Sequence, residues 1–131
     1  MSHTQKVGAV GEELSVRFLV KKGYDVIDRN YRRPWGELDI VAKKKGKIHF
    51  IEVKTLSYKI VSSETSKIKD FFRPEDHVND EKVKRLGRII QTYLGAKHVS
   101  SETKWQFDVV AIVIDVEVMK AKIKFLEDVT M

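Results

Sequence analysis

Two β-rich runs, Glu37 to Ala42 (ELDIVA) and Lys47 to Thr55 (KIHFIEVKT), are separated only by Lys43-Lys44-Lys45-Gly46. That spacing and turn chemistry predict a β-hairpin. A lone hairpin is marginal in water, so the chain must supply further strands or a covering helix. Each run also carries an acid among apolar residues, Asp39 beside Ile40-Val41-Ala42 and Glu52 after Phe50-Ile51. An unpaired carboxylate is costly to bury, so a cation is expected close by.

The rest of the chain supplies what the hairpin needs. Residues from about Gln5 to Lys22 place Val7, Val10, Leu14 and Phe18 at helical spacing, with Gly23 as the stop. Tyr24 to Asn30, centred on Val26 and Ile27, reads as a first strand. Arg32-Arg33-Pro34-Trp35-Gly36 then turns the chain into the hairpin. Between Leu56 and Asn79 the pattern dissolves into polar residues such as Ser62-Ser63-Glu64-Thr65-Ser66, a long connection of the functional or disordered kind. Asn79 or Asp80 can cap a helix running to about Leu94, with Val83, Leu86, Ile90, Tyr93 and Leu94 inward and Gly95 as its stop. Trp105 to Ile114 and Val116 to Leu126 read as two more strands, the last alternating Lys120, Lys122 and Lys124 with Ala121, Ile123 and Phe125. The order α-β-β-β-α-β-β predicts an α/β fold. Its core is a mixed sheet of about five strands flanked by helices, in one domain spanning residues 1–131 with a mobile loop at about 56–79.

A chain of 131 residues is long enough for one core without staples. Cysteine is absent, which excludes disulfides, thiolate zinc sites and thiol nucleophiles. Carboxylates must therefore carry any metal chemistry. No apolar run reaches the length of a membrane span, and the first residues lack the plan of a secretory signal, so a cytoplasmic location is expected. The net charge of +6 favours an anionic partner, DNA or RNA in the first instance.

Strict alternation would put Glu37, Asp39 and Val41 on one face of their strand and Phe50, Glu52 and Lys54 on one face of the next. Two acids and a lysine then converge, a donor set for Mg²⁺ (or Mn²⁺ in its place), which binds a few carboxylates, keeps several waters and adds substrate phosphate. Lys54 could orient an attacking water or neutralise a phosphoryl oxygen. The simpler alternative is a same-face ion pair between Glu52 and Lys54. Glu37 reads as an acid behind the ligands. Asp108 reads as structural, pairing a buried cation or capping the sheet. His3, His49, His77 and His98 form no ligand pair by spacing. Arg29, Arg32 and Arg33, with Lys82, Lys84, Arg85 and Arg88 on the later helix, could track phosphates or be solvated surface. Trp35 could stack on a base or pack on the core.

The string Gly36 to Ala42 followed by Ile51-Glu52-Val53-Lys54-Thr55 resembles the D…ExK core of the restriction-endonuclease-like, PD-(D/E)XK superfamily. More narrowly, the chain resembles the YraN-like family. The likeness lies in Gly8, Gly11 and Glu12 of the opening helix, in Arg29-Asn30-Tyr31-Arg32, and in Phe107 to Ile112 (FDVVAI). Archaeal Holliday-junction resolvases are similar in the same core, with a glutamate of the first helix joining the metal site. The resemblance implies a metal-dependent endonuclease for DNA, of branched or junction form. Its active residues would be Glu12, Asp39, Glu52 and Lys54, with the Val53 carbonyl as a further ligand. A homodimer is expected on symmetry grounds, because paired cuts need two sites. The alternative is a non-cleaving nucleic-acid-binding module on the same fold that works with a protein partner. Thr55-Leu56 stands where family members commonly carry an Arg, and the segment from Ser57 to Asn79 is longer than usual. Gly8, Gly11 and Ser15 thin the helix beside Glu12 and would let it approach the sheet; the competing reading makes Glu12 a first-turn acid complementing the helix dipole.

Overall fold

The structure is a computed structural model and describes residues 2–58, 80–115 and 118–129. In chain order the elements are α1 (His3–Lys21), β1 (Asp25–Arg33), β2 (Gly36–Lys44), β3 (Lys47–Tyr58), α2 (Asp80–Ala96), β4 (Trp105–Asp115) and β5 (Lys120–Leu126). This is the α-β-β-β-α-β-β order expected. The five strands lie in the order β1-β2-β3-β4-β5. Only β3 and β4 run parallel, and every other neighbouring pair is antiparallel. A parallel pair needs a crossover between its strands, and α2 lies in the connection that makes it. The expected loop at 56–79 falls outside the described residues from 59 onward, and its first residues continue β3.

Local chemistry accounts for the boundaries. Ser2 caps α1 by accepting from the Gln5 amide at 3.1 Å, while the Gln5 side chain accepts from the Ser2 amide at 2.9 Å, a reciprocal capping box. Lys45 and Gly46 both hold positive φ, 51° and 76°. The β2–β3 turn is therefore the two-residue, primed kind that matches the twist of the strands.

The sheet is buried on both faces. On one side Leu38, Val41, Phe50, Phe107 and Val109 pack with Ile89, Ile90 and Tyr93 of α2. On the other, Ile40, Ala42, Ile51, Val110 and Ile112 pack with Leu19, Leu14 and Phe18 of α1. The inner line of α1 differs from the stripe expected: Val10 is 49% exposed, and the buried positions are Gly11, Ser15 and Leu19. A side chain at Gly11 would put its Cβ only 2.1 Å from Thr55 Oγ1, so α1 rides directly on β3 there. Ser15 is fully buried and donates to the Gly11 carbonyl at 2.8 Å, which satisfies its hydroxyl inside the contact.

The alternation in β2 also departs from the expectation. Leu38 and Val41 face the α2 side, but Ile40 faces the α1 side, so Glu37, Asp39 and Val41 do not share one face. The neighbouring strand β1 is irregular at the same level. Asn30 takes φ 52°, a left-handed conformation that Asn tolerates better than most residues. This turns Tyr31 to the α2 core and leaves Arg29 with α1. The register runs Arg29↔Ile40 and Tyr31↔Leu38 around it, so Asn30 and Asp39 form a paired irregularity where both strands switch faces.

Candidate active site

The β2–β3 ladder ends at Ile40↔Ile51. Beyond that point β3 stays paired with β4 as far as Tyr58, while β2 stays with β1 as far as Gly36. The sheet therefore forks. Across the fork the Val53 amide donates to Asp39 Oδ2 at 2.8 Å, so a side chain replaces the missing strand partner. In an extended strand the N–H and C=O of one residue leave on the same side. The Val53 carbonyl thus opens toward the same gap as Asp39.

Burial pushes the Asp39 carboxyl up from 3.8 to about 6, against the lowering effect of the Val53 amide; the charges of Glu37, Glu52 and Glu12 raise it further. Four acids therefore surround one fork. Glu12 lies in the middle of α1, and the first turn of that helix holds no acid, which removes the dipole reading. Together with Glu37, Asp39, Val53 and Thr55 it lines a cleft of about 810 Å³ on the α1 side. Glu52 lies on the α2 side, where it shares a pocket of about 150 Å³ with Glu37, Asp39 and Leu86. Asp39 and Glu37 border both spaces, so the fork joins the two faces. Lys54 follows Glu52 by one alternation and shares its α2 side.

Each acid beyond Asp39 already has a cation or donor. Glu12 Oε1 accepts from Asn30 at 2.9 Å and from Arg29 at 3.3 Å. Glu37 pairs with Arg32 at 3.1 Å. Both Glu52 oxygens meet Lys82 Nζ, at 2.9 and 3.0 Å. Among the described residues no three or more His, Asp or Glu side chains stand close enough to form a ready-made metal cage. Asp39, Glu52 and the Val53 carbonyl nevertheless form the hard-oxygen set that Mg²⁺ takes when it keeps its waters. The raised Asp39 carboxyl marks a place short of positive charge. These residues fit a divalent cation; Glu12 joins them only by exchanging Arg29 and Asn30.

The basic residues divide. Arg29 is drawn to the α1 side by Glu12 and Glu13. Arg32, Arg33 and Arg85 line one groove of about 390 Å³ with Trp35 and Glu37, and Arg88 lies over the Trp35 ring at 4.8 Å. Two clusters far apart in sequence thus meet beside the fork, with Lys84 exposed on the same helix. Trp35 packs against the α2-side core and donates to Thr92 Oγ1 at 3.0 Å, so its role is packing. Asp108 is structural, as the sequence suggested. It is fully buried, meets His49 Nδ1 at 2.7 Å, and accepts from Gln106 and from the Asp128 amide. His77 falls outside the described residues. Sequence reasoning missed Asn30 and the pairing of Lys82 with Glu52. Its place in the Arg29-Asn30-Tyr31-Arg32 stretch was a signal for the first, and none marked the second.

Fold and site together define an α/β protein whose five-stranded mixed sheet carries a partly buried acidic cluster at a strand fork. Residues 11–112 match the family described as "Uncharacterised protein family UPF0102", and the chain belongs to that family, the YraN-like one. It is 37% identical over 122 residues to a UPF0102 protein of Alkaliphilus oremlandii, covering 92% of each chain. It is 35% identical over 125 residues to one of Caldicellulosiruptor bescii, covering 95% of this chain and 96% of that one. With one of Moorella thermoacetica it shares 39% over 108 residues, covering 82% and 81% respectively. Among the described residues no helix is long and apolar enough to cross a membrane.

Proposed function

We propose that this protein is a Mg²⁺-dependent endonuclease of the PD-(D/E)XK kind that hydrolyses phosphodiester bonds in DNA, with branched or junction DNA as its preferred form. The observation that carries the reading is the fork. Asp39 is tied to the Val53 amide at 2.8 Å, and burial together with three neighbouring acids raises its carboxyl to about 6, so the fork is a place that a divalent cation would relieve.

In this reading Asp39, Glu52 and the Val53 carbonyl hold the cation. Bound there, Mg²⁺ supplies Lewis-acid polarisation of a phosphoryl oxygen and charge to match the developing negative charge. Lys54, on the Glu52 face, holds the attacking water in line or steadies a phosphoryl oxygen. Glu12 completes the acidic wall from α1, and Glu37 holds Arg32 at the mouth. Arg32, Arg33, Lys84, Arg85 and Arg88 contact flanking phosphates, which set affinity and position rather than sequence preference. Two subunits would be needed to cut a junction symmetrically.

The experiment is a panel of labelled linear, flapped, single-stranded and four-way-junction DNAs, incubated with Mg²⁺, Mn²⁺ or EDTA and with the protein or its Asp39→Asn variant. Metal-dependent cutting that the variant loses supports the proposal, and the preferred DNA names the substrate. Salt-sensitive binding without cutting by either protein would instead favour a binding module acting with a partner.

A further inference from the structure

We infer that Lys82 is a built-in counterion of the active site, one that occupies Glu52 until a divalent cation displaces it. The inference rests on the metal-site reading above and names the residue that regulates entry of the metal. Lys82 Nζ lies 2.9 Å from one Glu52 oxygen and 3.0 Å from the other, so a single ammonium spans the whole carboxylate edge. A metal that takes Glu52 as a ligand must compete for those same oxygens.

The position of Lys82 is itself informative. It lies at the start of α2, next to Asp80 and Glu81 in the first turn, where the helix dipole favours acids and disfavours a cation. Its interaction with Glu52 crosses to the sheet and is partly shielded, with the two side chains 33% and 27% exposed, so solvent screens it less than a surface pair. Lys54 and Lys82 have distinct places: Lys54 is on β3 with Glu52, and Lys82 comes from the opposing helix. Because α2 also carries Lys84, Arg85 and Arg88, displacement of Lys82 from Glu52 adds an ammonium to the same basic helix when the metal arrives. The helix that would contact phosphate is thereby linked to the state of the metal site.

The test is Mn²⁺ binding without DNA, followed by the electron paramagnetic resonance signal of free Mn²⁺, for the unaltered protein, Lys82→Gln, Lys82→Arg and Asp39→Asn. Circular dichroism confirms that each variant is folded. Removing a partly shielded competing cation should tighten Mn²⁺ binding by about three- to tenfold in Lys82→Gln. Lys82→Arg should stay near the unaltered value. Equal or weaker binding by Lys82→Gln would overturn the inference while leaving the metal site in place, because Asp39→Asn would still reduce binding. If neither the unaltered protein nor Lys82→Gln bound Mn²⁺, the metal-site reading would fail and this inference with it.

Discussion

Asp39 should make the folded protein less stable than it could be, and by an amount that depends on pH. Its carboxyl is raised from 3.8 to about 6, so the folded state holds the proton more tightly than the unfolded chain does. Stability contributed by this group is present below pH 4 and is lost as pH rises through about 6. At about 1.4 kcal/mol per tenfold, keeping Asp39 ionised at neutral pH costs about 3 kcal/mol. Asparagine matches the shape of the neutral carboxyl, and its carbonyl oxygen can still accept from the Val53 amide. Asp39→Asn should therefore be more stable than the unaltered protein by about 2 to 3 kcal/mol at pH 7.5, and no more stable at pH 3.5. Urea unfolding followed by the fluorescence of Trp35 and Trp105 reads this directly, as a midpoint about 1 to 2 M higher at pH 7.5. A variant that is no more stable at pH 7.5, or whose gain persists unchanged at pH 3.5, would refute the argument from burial and repulsion. Under the proposed function, millimolar Mg²⁺ should narrow the gap, because it stabilises the protein that retains Asp39 more than the variant.

Other parts of the molecule give independent outcomes. Gly11→Ala should lower stability by about 1 to 3 kcal/mol, because the new methyl overlaps Thr55; pairing it with Thr55→Ala should recover part of the loss in thermal melts. Asp108→Ala should cost about 3 kcal/mol or more, since it strands His49, Gln106 and the Asp128 amide in a buried site; the same melts read it. Under the proposed function, Arg85→Ala should weaken DNA binding evenly across sequences and reduce the salt dependence by about one counterion, measured by fluorescence anisotropy at several salt concentrations with Ca²⁺ in place of Mg²⁺.

Much of the fold was legible because its signals are local. The β2–β3 hairpin follows from two β runs around Lys45-Gly46, whose positive φ values the turn requires. The α1 cap follows from Ser2 and Gln5. The face of β2 was not legible. Period-two alternation placed Glu37, Asp39 and Val41 together, but the switch at Asn30 and Asp39 separates them. A left-handed residue inside a strand is permitted by Asn but not announced by it. The α1 stripe was likewise displaced, because Gly11 and Ser15 are buried for closeness rather than for apolar area.

The sequence by itself determined which elements carry most of the candidate residues: Asp39 and Glu52 on neighbouring strands, Lys54 beside Glu52, Glu12 on a helix, and Lys84, Arg85 and Arg88 on a second helix; it put Arg32 and Arg33 in a turn, whereas β1 runs on to Arg33. Tertiary structure alone decided how their charges balance. Asp39 is left at the fork with its acid neighbours, Glu12 is held by Arg29 and Asn30, and Lys82 covers Glu52. The division has a physical reason. Turns, caps and alternation depend on bonds made within a few residues, whereas burial and charge pairing depend on distances between segments that only the folded chain brings together.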